Sequence, residues 1–159
     1  MINTSGHAVV IGASGGIGRE ISNALAQLYG PDRIHALSRR AGQIDLTDES
    51  SIRAAADQVR SKSGGDVRLV IVASGVLQEQ GGVSPEKDWR ALDAGILQRY
   101  MAVNAIGPAL VAKHFLPLLP KEGRSVFAAI SARVGSISDN QLGGWYGYRA
   151  SKAALNQFI

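Results

Sequence analysis

The stretch "HAVVIGASGGIGREISNALAQLYG", His7 to Gly30, constrains the fold more than any other part of the chain. It opens on a short apolar, β-branched run, "HAVVIG", that ends in glycine and reads as a buried strand. Ile17, Ile21, Ala24, Leu25 and Leu28 then recur at helical spacing, and Gly30-Pro31 stops the helix. Between strand and helix, Gly12, Gly16 and Gly18 form G-x-x-x-G-x-G. Glycines let the backbone turn tightly and let a pyrophosphate approach the amides. The helix N-terminus then offers free N–H groups and partial positive charge. Ser14 and Ile17, within the same loop, count with the glycines as cofactor-binding candidates. A loop of the GxxxxGK[ST] type is excluded, because Arg19 follows Gly18 and no GK[ST] is present.

The rest of the chain repeats the same alternation. "RIHALS", "DVRLVIVASG" and "RSVFAAIS" read as strands. "TDESSIRAAADQVRSKSGG" reads as a helix capped by Thr47 or Asp48 and closed by Gly64-Gly65. A long helical stretch from about residue 91 to 119 is expected to break near Gly95 and to end at Pro117 and Pro120. "ARVGSISDNQLGG" is loop, and residues 145–159 begin a helix. Strand–helix alternation predicts a doubly wound parallel sheet with helices on both faces, a Rossmann-type α/β fold. Connections are short and 159 residues is one domain's worth, so residues 1–159 are expected to form a single dinucleotide-binding domain.

Composition removes several alternatives. There is no cysteine, hence no disulfide scaffold, thiolate metal site or cysteine nucleophile. Apolar residues make up 45% of the chain, enough for a core. No apolar run is expected to reach the ~18 residues that span a bilayer. The N-terminus lacks a charged region followed by an apolar stretch and a cleavage site, so a cytoplasmic protein with no membrane role is expected. The net charge is +4, but the basic residues are scattered and aromatics few, against a nucleic-acid face. His7, His35 and His114 stand apart in sequence and suggest no metal site. Trp89 and Trp145 read as packing residues, and acids such as Asp48, Glu49, Glu86 and Asp88 as helix-start residues.

The end of the second strand carries Ser38-Arg39-Arg40 where a ribose-binding acid would stand. No carboxylate occupies that slot. A hydroxyl and one or two guanidinium groups suit a 2′-phosphate, which arginine binds bidentately. NADP is therefore favoured over NAD.

The glycine loop, Asp45-Leu46, Ala73-Ser74-Gly75, Asn104 within "VNAIGP", Ser131 ending a strand and Tyr148-x-x-x-Lys152 followed by "AAL" occur in one order. That order resembles the short-chain dehydrogenase/reductase family. "SARVGSISDNQLGGWYGYRASKAALN" is similar to the branch of C-factor-like proteins and sniffer-type carbonyl reductases. The resemblance spans essentially the whole chain. It implies that Asp45 accepts from the adenine amino group with Leu46 nearby, and that Ala73, Ser74 and Gly75 line the adenosine side. Ala73 stands where the family usually has asparagine. It further implies that Asn104 joins a proton relay, that Tyr148 is the acid/base, and that Lys152 is its partner and reaches the cofactor ribose. Family members typically continue well past the YxxxK helix, so the chain is expected to be truncated before the substrate-covering region. They often associate through the long helix and the YxxxK helix, which makes a homo-oligomer an expectation.

The spacing of Tyr148 and Lys152 makes chemical sense by itself. Residues four apart are neighbours on a helix face. A free tyrosine titrates near ~10, and an adjacent ammonium favours its phenolate. Such a tyrosine exchanges a proton with an alcohol or carbonyl oxygen. Tyr146 has Ala150 four residues on, and therefore no such partner. A serine should bind the substrate oxygen. The family places it three residues before a glycine, but that count back from Gly135 reaches Ala132. Ser131, on a strand end, is favoured over Ser136, in a loop. Together these residues predict an NADP-dependent oxidoreductase interconverting a small carbonyl and alcohol. The alternative is a dinucleotide-binding or interaction module without catalysis.

Overall fold

The computed structural model describes residues 4–159. Strands His7–Ile11 (β1), Ile34–Leu37 (β2), Val67–Val72 (β3) and Val126–Ala129 (β4) form one sheet in the order β2-β1-β3-β4. All pairings are parallel, with Val9 opposite His35 on one side and Val70 on the other. The crossovers carry helices Gly16–Tyr29 (α1), Glu49–Ser63 (α2), Ala94–Met101 (α3) and Gly107–Phe115 (α4), and the chain closes on Tyr146–Phe158 (α5). This is the expected doubly wound arrangement, with a strand at each expected run.

Alternation along β1 divides the core. Val9 and Ile11 join Ile52 and Val59 of α2 and Val111 and Phe115 of α4 on one face. Ala8 and Val10 join Leu25 and Tyr29 of α1 on the other. The strands are mostly apolar because a parallel sheet is buried on both faces. α2 is capped by Asp48, whose carboxylate accepts from Ser50 N, and ends on Gly64 in the left-handed region.

The long helix differs from expectation. Gly95 does not break it. Asp93 caps its start by accepting from Ile96 N, so Gly95 lies in the first turn. The irregularity is a π-helical segment, Ala102–Ile106, between α3 and α4. Single π turns widen the helix and re-aim its side chains. Here Val103 and Asn104 fall inside the widened turn. The stretch Ala94–Leu118 is also, by length and composition, long and apolar enough to cross a membrane, contrary to expectation. Its buried residues Tyr100, Ala105, Val111 and Phe115 pack within the fold, where the central helix of an α/β layer needs its apolar face.

Candidate active site

The C-terminal ends of β1, β2 and β3 open into a cleft of about 470 Å³. Gly12, Ser14, Arg39, Arg40, Asp45 and Leu46 line it, with Ser74 and Gly75 opposite. This is the crevice at the carboxyl edge of a parallel sheet where α/β proteins take their ligands. Residues scattered from 12 to 75 meet there because each ends a strand or follows one.

The glycines divide by role. A Cβ on Gly12, at φ +95°, would stand 2.6 Å from Ser74 Oγ, and one on Gly18 would stand 2.2 Å from the Gly12 carbonyl oxygen. These two let the strand, the loop and α1 close on one another. A Cβ on Gly16 would meet nothing within 4 Å, so there the missing side chain leaves open approach. The start of α1 has no side-chain cap and no acid in its first turn. It therefore keeps its N–H groups and positive end for an anion. The cleft thus fits a dinucleotide: a bare-backbone pyrophosphate cradle at one part and arginines at another.

Other candidates hold the cleft's frame, some of them back from its wall. Ser38 is buried, its hydroxyl accepts from Ala41 N at 3.3 Å, and its role is to shape the turn that presents Arg39 and Arg40. Ala73 donates its backbone N–H to Ile11 O at 2.8 Å and ties β3 to β1. Ile17 is exposed on the first turn of α1, and Arg19 reaches only Glu20. Asp45 Oδ1 accepts from both the N–H and the hydroxyl of Thr47, which holds its carboxyl below the usual range.

The tyrosine–lysine pair joins the cleft through Gly75. Lys152 is buried, and its Nζ donates to Ile130 O at 2.9 Å at the end of β4. That Nζ lies 3.5 Å from where a Cβ on Gly75 would stand, and Asn104 Oδ1 lies 3.4 Å from the same point. The ammonium also sits 5.9 Å from the centroid of the Tyr148 ring. Tyr148 is half-buried, edge-on to Tyr100 and Trp145. The expected fall in its pKa is not present: burial raises Tyr148 above its ordinary value and lowers Lys152 below its own. Desolvation of the charged form outweighs attraction here. Tyr148 is consequently a phenol at neutral pH, suited to donating a proton.

Two candidates make contacts that the sequence did not foretell. Asn104 is fully buried: its Oδ1 accepts from Val76 N at 2.7 Å, and its Nδ2 donates to Val76 O and Ser151 Oγ. The amide clamps the loop after β3. Ser131 turns away from Tyr148 and donates to Asn156 Oδ1 at 2.5 Å. Asn156 lies eight residues beyond Tyr148, about 12 Å along the helix. Ser136 lines a separate apolar hollow with Trp89 and Tyr146, whose rings stack at 4.2 Å. Trp89 packs on Tyr146 as a largely exposed ring, 68% accessible.

Sequence reasoning missed three acids and bases. Glu86, read as a helix-start residue, is buried beneath α5, and its carboxylate accepts from Gly147 N at 3.2 and 3.3 Å. Its carbonyl accepts from Trp145 N at 2.6 Å. Trp145 is, among the described residues, the one non-glycine at positive φ (53°). Glu79 and Arg99 form a forked ion pair on the cleft wall, at 2.9 and 3.0 Å. Neither has a local motif. His7 and His35, expected to stand apart, pair across β1 and β2 at 3.1 Å. Among the described residues no group of three or more His, Asp or Glu side chains could hold a metal.

Fold and cleft define a Rossmann-type α/β domain in which the lysine of a tyrosine–lysine pair stands behind Gly75 of the cleft. The chain belongs to the short-chain dehydrogenase family: the model described as short chain dehydrogenase matches residues 31–159. It is 34% identical over 160 residues to 1-hydroxy-2-glutathionyl-2-methyl-3-butene dehydrogenase of Rhodococcus sp. (strain AD45), covering 93% of this chain and 66% of that protein. It superposes on the carbonyl reductase Sniffer of Caenorhabditis elegans with TM-score 0.81 at 25% identity, over 96% of this chain and 74% of that one. A short-chain dehydrogenase/reductase from Burkholderia multivorans with bound NADP superposes with TM-score 0.73 at 26% identity, over 96% of this chain and 70% of that one. The chain spans between about half and two thirds of the length of three curated relatives it matches.

Proposed function

We propose that the chain is the cofactor-binding and proton-transferring part of an NADP-dependent oxidoreductase that interconverts a small carbonyl compound and its alcohol. The carrying observation is the position of the Lys152 ammonium, 3.5 Å from where a Cβ on the cleft residue Gly75 would stand and 5.9 Å from the Tyr148 ring centroid. When bound, the nicotinamide supplies the hydride. Tyr148 supplies the proton that the substrate oxygen gains, and burial keeps that proton on the phenol beforehand. Lys152, held by Ile130 O, fixes the charge beside the phenol. Gly16 and the open start of α1 receive the pyrophosphate, with Gly12 and Gly18 closing the loop that presents them, and Arg39 and Arg40 receive the 2′-phosphate. Residues 1–159 act in this reading as one dinucleotide-binding unit, with self-association through the long helix and α5.

A second reading, a dinucleotide-binding module without catalysis, is favoured by Ala132 at the hydroxyl position and by the Ser131–Asn156 bond. One experiment separates the two. NADPH binding is followed by calorimetry, and NADPH oxidation is followed with a panel of aldehydes and ketones. Catalysis predicts turnover that Tyr148→Phe abolishes while binding is kept and Tyr146→Phe leaves turnover intact. Binding without turnover on any substrate sinks the enzymatic reading for this chain.

A further inference from the structure

The slot at the end of β2 holds no carboxylate in sequence, yet tertiary structure brings one to it. Glu79 follows β3 in a tight turn closed by Glu79 N donating to Val83 O at 3.0 Å. Its carboxylate is gripped by Arg99 of α3 through two hydrogen bonds. The same Oε1 lies 3.9 Å from Nη2 of Arg39. Glu79, Arg99, Arg39 and Arg40 all line the cleft. We propose that Glu79 is a specificity-determining residue that opposes a 2′-phosphate at Arg39 and so holds down the preference for phosphorylated over unphosphorylated dinucleotide. This rests on the assignment of Arg39 and Arg40 to the 2′-phosphate.

The argument is one of charge. A phosphate monoester carries about −1.5 to −2 at neutral pH. Seated on Arg39, it stands close to an acid that the Arg99 hydrogen bonds keep ionised. Like charges at that range oppose each other, more so in a partly buried cleft than in water. Arg99 offsets only part of that charge, and the two N–H groups it spends on Glu79 are not free to take a phosphate oxygen. A ribose 2′-hydroxyl has no charge and meets no such repulsion from the carboxylate. Glu79 therefore penalises one cofactor and spares the other.

The test uses the 159-residue chain and calorimetric Kd values for NADPH, NADH and adenosine 2′-monophosphate, the last probing the phosphate site without a nicotinamide. Glu79→Gln, which keeps the shape of the side chain, is expected to tighten NADPH and adenosine 2′-monophosphate by about tenfold and to move NADH by less than about twofold. Glu79→Asp, which withdraws the charge by one methylene, gives a smaller gain in the same direction. In an Arg39→Ala background the Glu79→Gln gain shrinks to under about threefold, since the two residues act on one group. An unchanged NADPH to NADH ratio in Glu79→Gln, with Arg39→Ala/Arg40→Ala still costing NADPH selectively, overturns the role of Glu79 and leaves the 2′-phosphate assignment standing. Selective loss of NADH in Glu79→Gln overturns it too, making the acid a ribose acceptor. Equal loss of both cofactors in the double arginine variant removes the 2′-phosphate assignment and this proposal with it.

Discussion

The side chain of Asn104 takes both polar backbone groups of Val76, accepting its N–H at 2.7 Å and donating to its carbonyl at 2.8 Å. A full turn of π-helix aims the amide there, and Ser151 of α5 meets the same Nδ2 at 3.0 Å. One buried residue thus joins the cleft loop, the long helix and the helix of the tyrosine–lysine pair. Asn104→Ala leaves two buried backbone groups without partners. A loss of about 2–4 kcal/mol in urea-unfolding free energy is expected, with weaker dinucleotide binding. A loss below ~0.5 kcal/mol contradicts the clamp.

Lys152 is a buried cation with one hydrogen bond, so it is expected to cost stability in return for function. Its pKa is lowered from 10.5 by burial. The folded state therefore disfavours the ammonium at neutral pH, and that handicap disappears as pH rises from the lowered value to 10.5. Lys152→Met should match or exceed the parent in melting temperature at pH 7 while losing turnover. Its advantage should narrow toward pH 10.5. A variant that melts well below the parent at pH 7 shows that the bond to Ile130 dominates instead.

Glu86 caps the start of α5 from a distant loop and supports the turn in which Trp145 takes its unusual φ. Glu86→Ala leaves the Gly147 N–H without its acceptor and opens space beside Tyr100. About 1–2 kcal/mol of stability should go, in the range of lost helix caps. Glu86→Gln, which keeps an acceptor, should recover most of it.

Gly16 and Gly18 should separate binding from folding. Gly18→Ala drives a methyl into the Gly12 carbonyl oxygen and should cost at least about 2 kcal/mol. Gly16→Ala meets open space and, within a helix, should hold or raise stability by up to about 1 kcal/mol. It should nonetheless weaken NADPH binding. Equal melting temperatures for the two variants contradict the division of roles.

Acid should unfold the chain partly through His35, whose pKa falls from 6.5 to about 4 through burial, then the charges of His7 and Lys62. A depressed folded value means the stability is complete above pH 6.5 and is lost as pH drops through 4. Because the ring is partly exposed, about 1–2 kcal/mol is expected over that window. His35→Gln should flatten the profile between pH 6.5 and 4.

Much of this was legible in the chain. The four strands, the glycine turn and the α2 cap follow from local pattern, since burial on both faces demands apolar runs and tight turns demand glycine. The helical spacing of Tyr148 and Lys152 likewise survives folding. What failed did so for non-local reasons. Gly95 looked like a break because glycine disfavours helix interiors, but Asp93 made it a first turn. The partner that Ser131 takes was hidden for the same reason, because Asn156 lies 25 positions along the chain.

By itself the sequence determined the alternation, the cradle and the spacing of the acid/base pair, because each is written in residues within a few turns of one another. Only the tertiary structure decided what surrounds them. Burial, not sequence neighbours, raised Tyr148 and lowered Lys152. Glu86 reached α5 across 61 positions, and Glu79 came to Arg39 across a cleft. Charges act through space and solvent exclusion, and neither can be counted along a chain.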